Sequence, residues 1–406
     1  MRVLFLADAV FLDLPGGSRV AARELATGLI EKGHDVTFLV GKRHSDSPDV
    51  ETVEGYGRIV RYGGAGEGLQ FIRQGRAACK RLCEKERFDV VHTHFAFAAT
   101  GPLSALPPST RRVRTFHGPW DEEAYFDDTS RLKSLFGKCV TLIKQELRRT
   151  LEAANLRKSD AVITLSNCFR RKINERYGLP IDHVQIVPGG ADLQRFQPTS
   201  DKRACRQSLG LPINRQILFS VRRLAPRMGL DNLILAMPEV IAKNPDVLLL
   251  IGGKGPQKAQ LEQLVEGNHL QDHVKLLGFI PDDKLSSYYQ AADLFVLPTV
   301  ALEGFGLVTT EALASGLPVV GTPVGGTPEI LANLNSRLIA DGTAPNHLAK
   351  AINSFLTNTW NLELTPDKLH RYVCENFTWE KHVDAVESIY VNLVGQSELT
   401  KTPSVR

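Results

Sequence analysis

The chain has 406 residues, 43% of them apolar and 23% charged, with a formal net charge of +4. This length suits two domains of about 200 residues, and the composition excludes a disordered or fibrous protein. No apolar run approaches the ~18 residues of a membrane-spanning helix. The charge lacks a concentrated basic stripe, so we expect no nucleic-acid partner. Six scattered cysteines without a CxxC pair indicate reduced thiols and therefore a cytoplasmic protein.

The first half of the chain alternates apolar segments of strand length with amphipathic segments of helix length. They are, in order, RVLFLAD, SRVAARELATGLIEKGH, DVTFLVG, DVVHTH, VRTFHG, DAVITLS, NCFRRKINERYG and VQIVPGG. Because Asp8 and Asp13 interrupt the apolar start and no small-residue cleavage site follows, we predict a buried first strand rather than a signal peptide. The alternation predicts βαβ units, in which helices cover both faces of a parallel sheet.

The alternation stops at residues 191–214, a polar segment without periodicity that we interpret as a linker. It restarts with QILFSVRR, LDNLILAMPEVIAKNP, VLLLIGG, VKLLGFI, DLFVLPT and LPVVGT. The sequence therefore predicts an α/β fold of two doubly wound domains, residues 1–195 and 196–375, followed by an amphipathic helix over 376–393. Since ligands of open α/β sheets bind beyond the carboxyl ends of the strands, we expect the two domains to face each other across a cleft that holds the site.

Several loops that follow predicted strands are rich in glycine. Gly16 and Gly17 lie between the first strand and the first helix, where the turn either is merely tight or directs backbone N–H groups at an anion. The loop IGGKGP, which contains Gly253, permits close approach of a ligand to the backbone. Phe279, in LLGFIPDDKL, either flanks a planar base or is a buried aromatic residue. No strand is followed by GxGxxG, which argues against a nicotinamide or flavin cofactor, and we expect none.

Arginines cluster at another strand end, in SVRRLAPRMGL. Arg222, Arg223 and Arg227 lie within six residues beside a glycine. Guanidinium groups there either bind phosphate oxygens, which three in so short a segment favour, or hold surface carboxylates.

The segment LEGFGLVTTEALASGLPVVG places Glu303 on a glycine-rich loop and Glu311 inside the helix that follows. The glycines remove side-chain bulk around Phe305, so the loop can surround a sugar whose hydroxyls donate to Glu303. The N-terminus of the helix attracts a phosphate. Glu311 can accept hydrogen bonds from ribose hydroxyls, as an acidic residue does in dinucleotide-binding folds. Two solvated surface carboxylates would leave the glycines between them unexplained.

These motifs resemble the retaining glycosyltransferases of family 4, which have the GT-B fold of two Rossmann-like domains. The resemblance extends along nearly the whole chain. It is most specific in EGFGLVTTE, and GGSRVAARELATGLIEKGHDV, HGPW, VPGGADLQRF, IGGKGP, LGFIPDDKL and GLPVVGTPVGGTPEIL occur in family order. It implies that the second domain binds a nucleotide-diphosphate sugar, that the first domain selects a hydroxyl acceptor, and that the terminal helix crosses back to the first domain.

The resemblance also implies roles for individual residues. The residues at the reacting centre are Glu303 on the sugar hydroxyls, His117 facing the donor sugar and Arg223 on the diphosphate. Glu311 binds the ribose. The residues implied around the sugar, diphosphate and base are Gly17, Gly304, Phe305, Gly306 and Leu307 for sugar and diphosphate, and Gly253, Phe279 and Ile280 for the base.

The chain departs from the family pattern at Met228, where the family usually has a lysine that binds the diphosphate. Our hypothesis is that Arg222 or Arg227 supplies the second cation. The sequence contains no D-x-D motif, so we expect no metal ion and a reaction in which arginines and helix N-termini stabilise the diphosphate. The resemblance implies front-face attack. Two alternatives remain open, a nucleotide-sugar epimerase of the same fold and a non-catalytic nucleotide-sugar-binding protein.

Residues 131–158 carry eight basic residues and two acidic ones, with apolar residues at helical spacing. The members of this apolar stripe are Leu132, Leu135, Phe136, Ile143, Leu147 and Leu151. The first interpretation, which we favour, is a helix that packs its stripe on the first sheet. The second is a peripheral membrane contact with anionic lipid, which would locate the protein at the inner face of the membrane.

Overall fold

The computed structural model describes residues 1–13, 16–63, 68–129, 135–357 and 359–399. The chain divides into two compact units. The first unit comprises Met1–Tyr125, Leu132–Gly189 and Trp379–Arg406, and the second comprises Phe126–Arg131 and Gly190–Thr378. Within the described ranges, no helix is long and apolar enough to cross a membrane.

The chain leaves the first unit after Gly189, earlier than the boundary at 195 that the sequence predicted. Two contacts account for the difference. The Ala191 amide donates to the Phe377 carbonyl (3.0 Å), and Arg195 Nη2 donates to the Asp282 carbonyl (2.5 Å). Residues 191–195 are therefore fastened to the second unit before the predicted boundary is reached.

The first unit contains an eight-stranded sheet with the order β3-β4-β2-β1-β5-β6-β7-β8. The strands are β1 (Arg2–Ala7), β2 (Asp35–Gly41), β3 (Val50–Val53), β4 (Gly57–Tyr62), β5 (Val90–Thr93), β6 (Arg111–Phe116), β7 (Ala161–Thr164) and β8 (Val184–Ile186). All neighbours pair in parallel except β3 and β4, which are antiparallel. The parallel strands match the predicted segments, whereas β3 and β4 were not predicted.

Helices cover both faces of this sheet, and apolar side chains from the helices and the strands form its cores. The helices are α1 (Gly17–Glu31), α2 (Leu69–Lys85), α3 (Ala96–Thr100), α4 (Trp120–Thr129), α5 (Leu135–Arg157) and α6 (Asn167–Tyr177). The strand order reverses between β1 and β5, because the chain proceeds outward from β1 to β2 and β4 and then returns to β5. The carboxyl ends of β1 and β5 therefore flank a crevice.

The second unit contains a five-stranded parallel sheet with the order β11-β10-β9-β12-β13. Its strands are β9 (Gln216–Val221), β10 (Val247–Gly252), β11 (Val274–Gly278), β12 (Leu294–Leu297) and β13 (Val319–Gly321). Strands β10, β12 and β13 are entirely buried and β9 is mostly buried, whereas the edge strand β11 is mostly half-buried. The strands consist largely of Val, Leu, Ile and Phe, as expected for a parallel sheet covered on both faces. Here the strand order reverses between β9 and β12.

The helices of the second unit are α7 (Lys202–Ser208), α8 (Leu230–Lys243), α9 (Lys258–Gly267), α10 (Asp282–Ala291), α11 (Leu307–Ala314), α12 (Thr327–Leu331), α13 (Pro345–Thr357) and α14 (Pro366–Asn376). Helix α7 lies inside the segment that we interpreted as a linker. Its N-cap residue Asp201 accepts a hydrogen bond from the Ala204 amide, which explains why a short polar segment is helical there.

The terminal helix α15 (Trp379–Leu399) begins later and ends later than the predicted 376–393. It belongs to the first unit, where Val383 packs against Gly28 of α1 and Val386 is fully buried. At its outer edge Lys32 forms ion pairs with Asp384 and with a second carboxylate one turn later. The apolar face of this helix is therefore part of the core of the first unit.

Candidate functional site

The candidate site of the second unit lies where the strand order reverses. Arg222 follows β9 directly, and the loop of residues 298–306 follows β12. Because β9 and β12 are neighbours whose connections leave in opposite directions, their carboxyl ends flank a crevice. The topology thus brings the arginine cluster to the loop that carries the first glutamate of the sequence motif.

Glu303 is buried in this loop and is bonded through one of its two carboxylate oxygens. Oε2 accepts from Arg222 Nη2 (2.7 Å) and from Thr299 Oγ1 (2.8 Å). Arg222 Nη1 also donates to Thr299 Oγ1 (2.6 Å), which closes a three-membered network. No hydrogen bond reaches Oε1 from the part of the chain that the structure describes. The carboxylate is therefore fixed in orientation by Oε2, and Oε1 keeps its acceptor capacity for a ligand.

The backbone on either side of Glu303 is also constrained. Leu302 has a left-handed conformation (φ 59°), which is rare for a residue with a side chain, and Arg227 Nη1 donates to its carbonyl (3.2 Å). The Gly326 amide donates to the Glu303 carbonyl (2.9 Å). At Gly325 (φ +62°) an added Cβ would lie 1.8 Å from that carbonyl oxygen, so only glycine fits. Sequence reasoning quoted GTPVGGTPEIL but assigned no role to these glycines.

Glu311 lies on the helix that follows. Helix α11 begins at Leu307 after Gly306, which has a φ of 92° and provides no side-chain cap. The Tyr289 hydroxyl donates to Glu311 Oε2 (2.9 Å), and burial, together with the nearby Glu311 charge, raises the pKa of Tyr289 well above its ordinary value. In the first turn of the helix, the buried Thr309 hydroxyl has no hydrogen-bond partner among the described residues. The start of α11 therefore offers polar groups to a ligand.

The other predicted residues of this loop differ in what they present. The Phe305 side chain is buried, and its ring contacts Phe377 (centroids 5.6 Å apart), so only its backbone is left to meet a donor. Gly304 and Leu307 are half-buried.

The residues predicted to bind the base lie at the ends of β10 and β11. The Phe279 side chain is 52% exposed, which excludes the buried alternative, and Lys254 Nζ lies 4.8 Å from its ring centroid. Ile280 is buried with its side chain against Gly252. Gly253 packs so closely on the backbone of Arg222 that an added Cβ would lie 1.8 Å from the Arg222 carbonyl oxygen. The predicted base-binding residues are thus connected to the arginine cluster through the backbone.

The three arginines of the cluster have different environments. Arg222 is largely buried and its charge is compensated by Glu303, whereas Arg223 is exposed and Arg227 half-buried. Met228, at the position of the missing lysine, is buried with the core of the unit. Both arginines that the sequence suggested as substitutes for that lysine are bonded to the loop, Arg222 to Glu303 and Arg227 to the Leu302 carbonyl, and which of them replaces the lysine stays a prediction.

The remaining predicted residues belong to the first unit. Gly17 begins α1 in the crevice between β1 and β5, and in the first turn of α1 Arg19 forms an ion pair with Asp8, the residue after β1. Sequence reasoning missed Arg19, although its position two residues after a glycine pair was visible. His117 follows β6, and His94, which follows β5, is bonded to it (Nδ1 to Nε2, 3.0 Å).

His94 connects His117 to a stack of imidazole rings. The ring centroids of His94 and His117 are 5.3 Å apart, and those of His92 and His94 are 4.4 Å apart. Burial and, less strongly, the charge of Arg114 lower the pKa of His117 from 6.5 to about 3. Burial likewise holds the pKa of His94 well below its ordinary value. Both rings are therefore neutral at neutral pH, and one donates its single N–H to the other.

No cluster of three or more His, Cys, Asp or Glu side chains that could hold a metal ion occurs in the described ranges. Among the described residues, arginines contact the Glu303 loop, Arg222 at the carboxylate and Arg227 at the Leu302 carbonyl, and Lys254 lies beside Phe279.

Two family models match the chain. Residues 201–387 match the family model described as glycosyl transferases group 1, and residues 15–195 match that of Glycosyltransferase Family 4. The chain is 26% identical to a D-inositol 3-phosphate glycosyltransferase of Corynebacterium diphtheriae, over 92% of this chain and 89% of the relative.

Solved structures resemble the whole chain. Sucrose-phosphate synthase from Thermosynechococcus elongatus superposes with a TM-score of 0.80 at 25% identity, covering 97% of this chain and 99% of the other. Anabaena HepE, solved in complex with UDP-glucose, superposes with a TM-score of 0.75 at 18% identity, covering 97% and 100%. These likenesses confirm the predicted GT-B fold of two Rossmann-like domains.

Proposed function

Because this chain belongs to the family 4 glycosyltransferases, we propose that it transfers a sugar, most simply a hexose, from a nucleotide-diphosphate sugar to a hydroxyl acceptor. The observation that carries the proposal is the state of Glu303. Its carboxylate is buried beside the crevice, oriented through Oε2 by Arg222 and Thr299, and leaves Oε1 to accept from a sugar hydroxyl. Burial and a fixed orientation distinguish Glu303 from a solvated surface carboxylate.

The cations of the cluster suit the chemistry of the donor. Cleavage of the anomeric C–O bond builds negative charge on the departing diphosphate, which Arg223 and Arg227 would stabilise. The N-terminus of α11 adds backbone N–H groups to the same task. Glu311, oriented by Tyr289, would accept from the ribose hydroxyls. Arg222 would act differently, since its charge is directed at Glu303.

We further propose that transfer proceeds with retention and by front-face attack, in which the leaving phosphate takes the proton of the acceptor. Double displacement would require a carboxylate nucleophile. Glu303 is a poor candidate for that role because an arginine and a threonine bind its Oε2. Donor chemistry without a metal ion is supported by the arginines, which supply positive charge where a metal would otherwise be needed.

As acceptor we propose a hydroxyl group of a glycan, of a lipid-linked compound or of a small molecule. Transfer is favoured over the epimerase and the non-catalytic alternative because the C. diphtheriae relative is named a glycosyltransferase and the T. elongatus protein a synthase. We also propose that His117, which is bonded to His94, faces the donor sugar, as the family pattern implies.

The first experiment is a thermal-shift screen of the purified protein with UDP-, GDP- and ADP-sugars, since a ligand specific to the folded state raises its melting temperature. The sugar that binds is then used in a transfer and hydrolysis assay with Glu303→Gln, Glu311→Gln and, as matched control, Glu262→Gln, an exposed glutamate on α9. We expect Glu303→Gln to lower kcat about 100-fold and Glu311→Gln to raise mainly the donor KM. Equal activity of Glu303→Gln and the control would refute the proposed site.

A further inference from the structure

The middle of helix α5 directs polar side chains to the protein interior and aliphatic side chains to solvent. Its inward face carries Thr141 and Glu152, both buried, with Gln145 and Arg148 between them. On the opposite face Leu142, Ile143 and Leu147 are 53%, 70% and 60% exposed. At 100° per residue these three lie within a sector of about 140° opposite the inward polar side chains, and the exposed Glu146 and Thr150 lie in the same sector. Our favoured interpretation of the sequence, that this stripe packs on the first sheet, is therefore wrong for Ile143 and Leu147.

The inward polar face has its own partners, so the helix is not simply misoriented. Glu152 Oε1 accepts from Arg114 Nη2 (2.7 Å) in a fully buried ion pair. The guanidinium of Arg148 lies 5.7 Å from the ring centroid of Trp120. Rotation of the helix to bury its leucines would give Glu152 and Arg148 no better partners. It would also break the buried ion pair between Glu152 and Arg114, which is costly. The apolar face is therefore held outward by the packing of the polar one.

The charges around the apolar face indicate what covers it. Helix α5 carries five basic residues and two acidic ones, and one of the acidic residues is the inward Glu152. Lys144, at one edge of the apolar sector, is exposed. Arg149, at the other edge, is partly exposed and shares its charge with Glu146. Three exposed aliphatic side chains beside the cations Lys144 and Arg149 match the interface of an anionic bilayer, where alkyl groups enter the acyl region and cations meet the headgroups.

We propose that the face of α5 formed by Leu142, Ile143 and Leu147, called the α5 face below, docks the first unit on an anionic lipid bilayer. This goes beyond the proposed transfer reaction and does not depend on it, because lipid binding is measured without donor or acceptor. Helix α5 would lie in the plane of the interface, with its polar side still bonded to the sheet. Residues 131–134 and the side chains of Leu135 and Phe136, which our sequence analysis included, lie outside the described part of the chain.

The test is co-sedimentation of the full chain with vesicles of phosphatidylcholine alone or with phosphatidylglycerol added. We expect the wild type to sediment with the anionic vesicles and to lose binding at raised salt. Ile143→Gln combined with Leu147→Gln should weaken binding at least about tenfold, because two large apolar side chains no longer enter the bilayer. Lys144→Gln should weaken it about fivefold. The matched control is Val391→Gln, which removes an aliphatic side chain that is 55% exposed on α15 of the same unit.

Because each substituted side chain is exposed, we expect all variants to keep the melting temperature of the wild type, which would show that they fold. Binding to neutral vesicles as strong as to anionic ones, or equal losses in the double variant and the control, would overturn the proposal. So would a wild type that stays in the supernatant with both vesicle types. A wild-type dimer in sedimentation equilibrium that the double variant abolishes would assign the α5 face to a second copy of the chain instead of lipid.

Discussion

Replacement of Arg222 by glutamine separates two roles that this arginine could have. In the structure Arg222 and Glu303 are only 8% and 9% exposed and lie 2.7 Å apart, so solvent screens their interaction little. Removal of one partner from a buried ion pair typically costs about 3–5 kcal/mol. Thr299 would still donate to the carboxylate, which places our expectation at the lower end of that range. We expect a loss of about 3 kcal/mol in the free energy of unfolding. Because Glu303 also loses the partner that orients it, we expect Arg222→Gln to lower kcat about 100-fold, or about 2.7 kcal/mol in the activation barrier.

The assay compares this loss with the affinity for the nucleoside diphosphate alone, measured by calorimetry. If Arg222 acts through Glu303, that affinity changes less than about twofold, whereas Arg227→Gln weakens it about tenfold. A double-mutant cycle adds a second criterion: Arg222→Gln should cost little once Glu303→Gln is present, because the two residues act as one unit. The reasoning is refuted if Arg222→Gln weakens diphosphate binding tenfold and the two substitutions are additive, since Arg222 would then contact the phosphates directly.

Four further predictions follow from the site and its surroundings. Met228→Lys should leave the donor affinity within about threefold of the wild type, since we propose that arginine already replaces the missing lysine; a tenfold gain in a binding titration would contradict this. Tyr289→Phe removes one hydrogen bond to Glu311, about 1 kcal/mol, and should raise the donor KM about fivefold with kcat retained; a fall in kcat alone would contradict the assigned role. Gly325→Ala forces a Cβ against the Glu303 carbonyl at a positive φ, so the urea midpoint and kcat should both fall, whereas Gly267→Ala, at an unobstructed position, should change neither. The buried His92, His94, His117 and His382 of the first unit have lowered pKa values, so below about pH 6.5 the unfolded chain binds more protons than the folded one. The free energy of unfolding should therefore decrease from pH 7.5 to 5.5, by up to about 1.4 kcal/mol per histidine and pH unit. An unchanged urea midpoint would refute this.

The parallel strands could be predicted because each is a short, nearly continuous apolar run, which is what a sheet buried on both faces requires. The antiparallel pair β3 and β4 was missed for the converse reason. VETV and GRIVRY are only partly buried and contain charges, so neither reads as a core strand. Their turn contains Gly55 and Gly57, both with positive φ, and this glycine spacing was the available signal.

The site could be predicted from its motif only as far as residue type and order allow. Glu303 and Arg222 were both selected, but nothing in the sequence indicated that they form a pair, because their contact depends on β12 returning beside β9. His94 was treated as part of a strand for the same reason, since its partner His117 is 23 residues away, after the next strand. The exposure of Ile143 was predicted wrongly because periodicity defines an apolar face but not the direction in which it points.

The position of α15 has a consequence for the order in which the protein can mature on the ribosome. The second unit is an insertion within the first, whose last piece is encoded after residue 378. Until that piece emerges, Gly28 lacks Val383 and His92 lacks the hydroxyl of Tyr390. The nascent first unit therefore stays incomplete, with an apolar groove along α1 uncovered, while the inserted unit is synthesised. The inserted unit can fold during that time. A stop codon before Trp379 would leave the second unit whole and make the first one the target of chaperones and proteases.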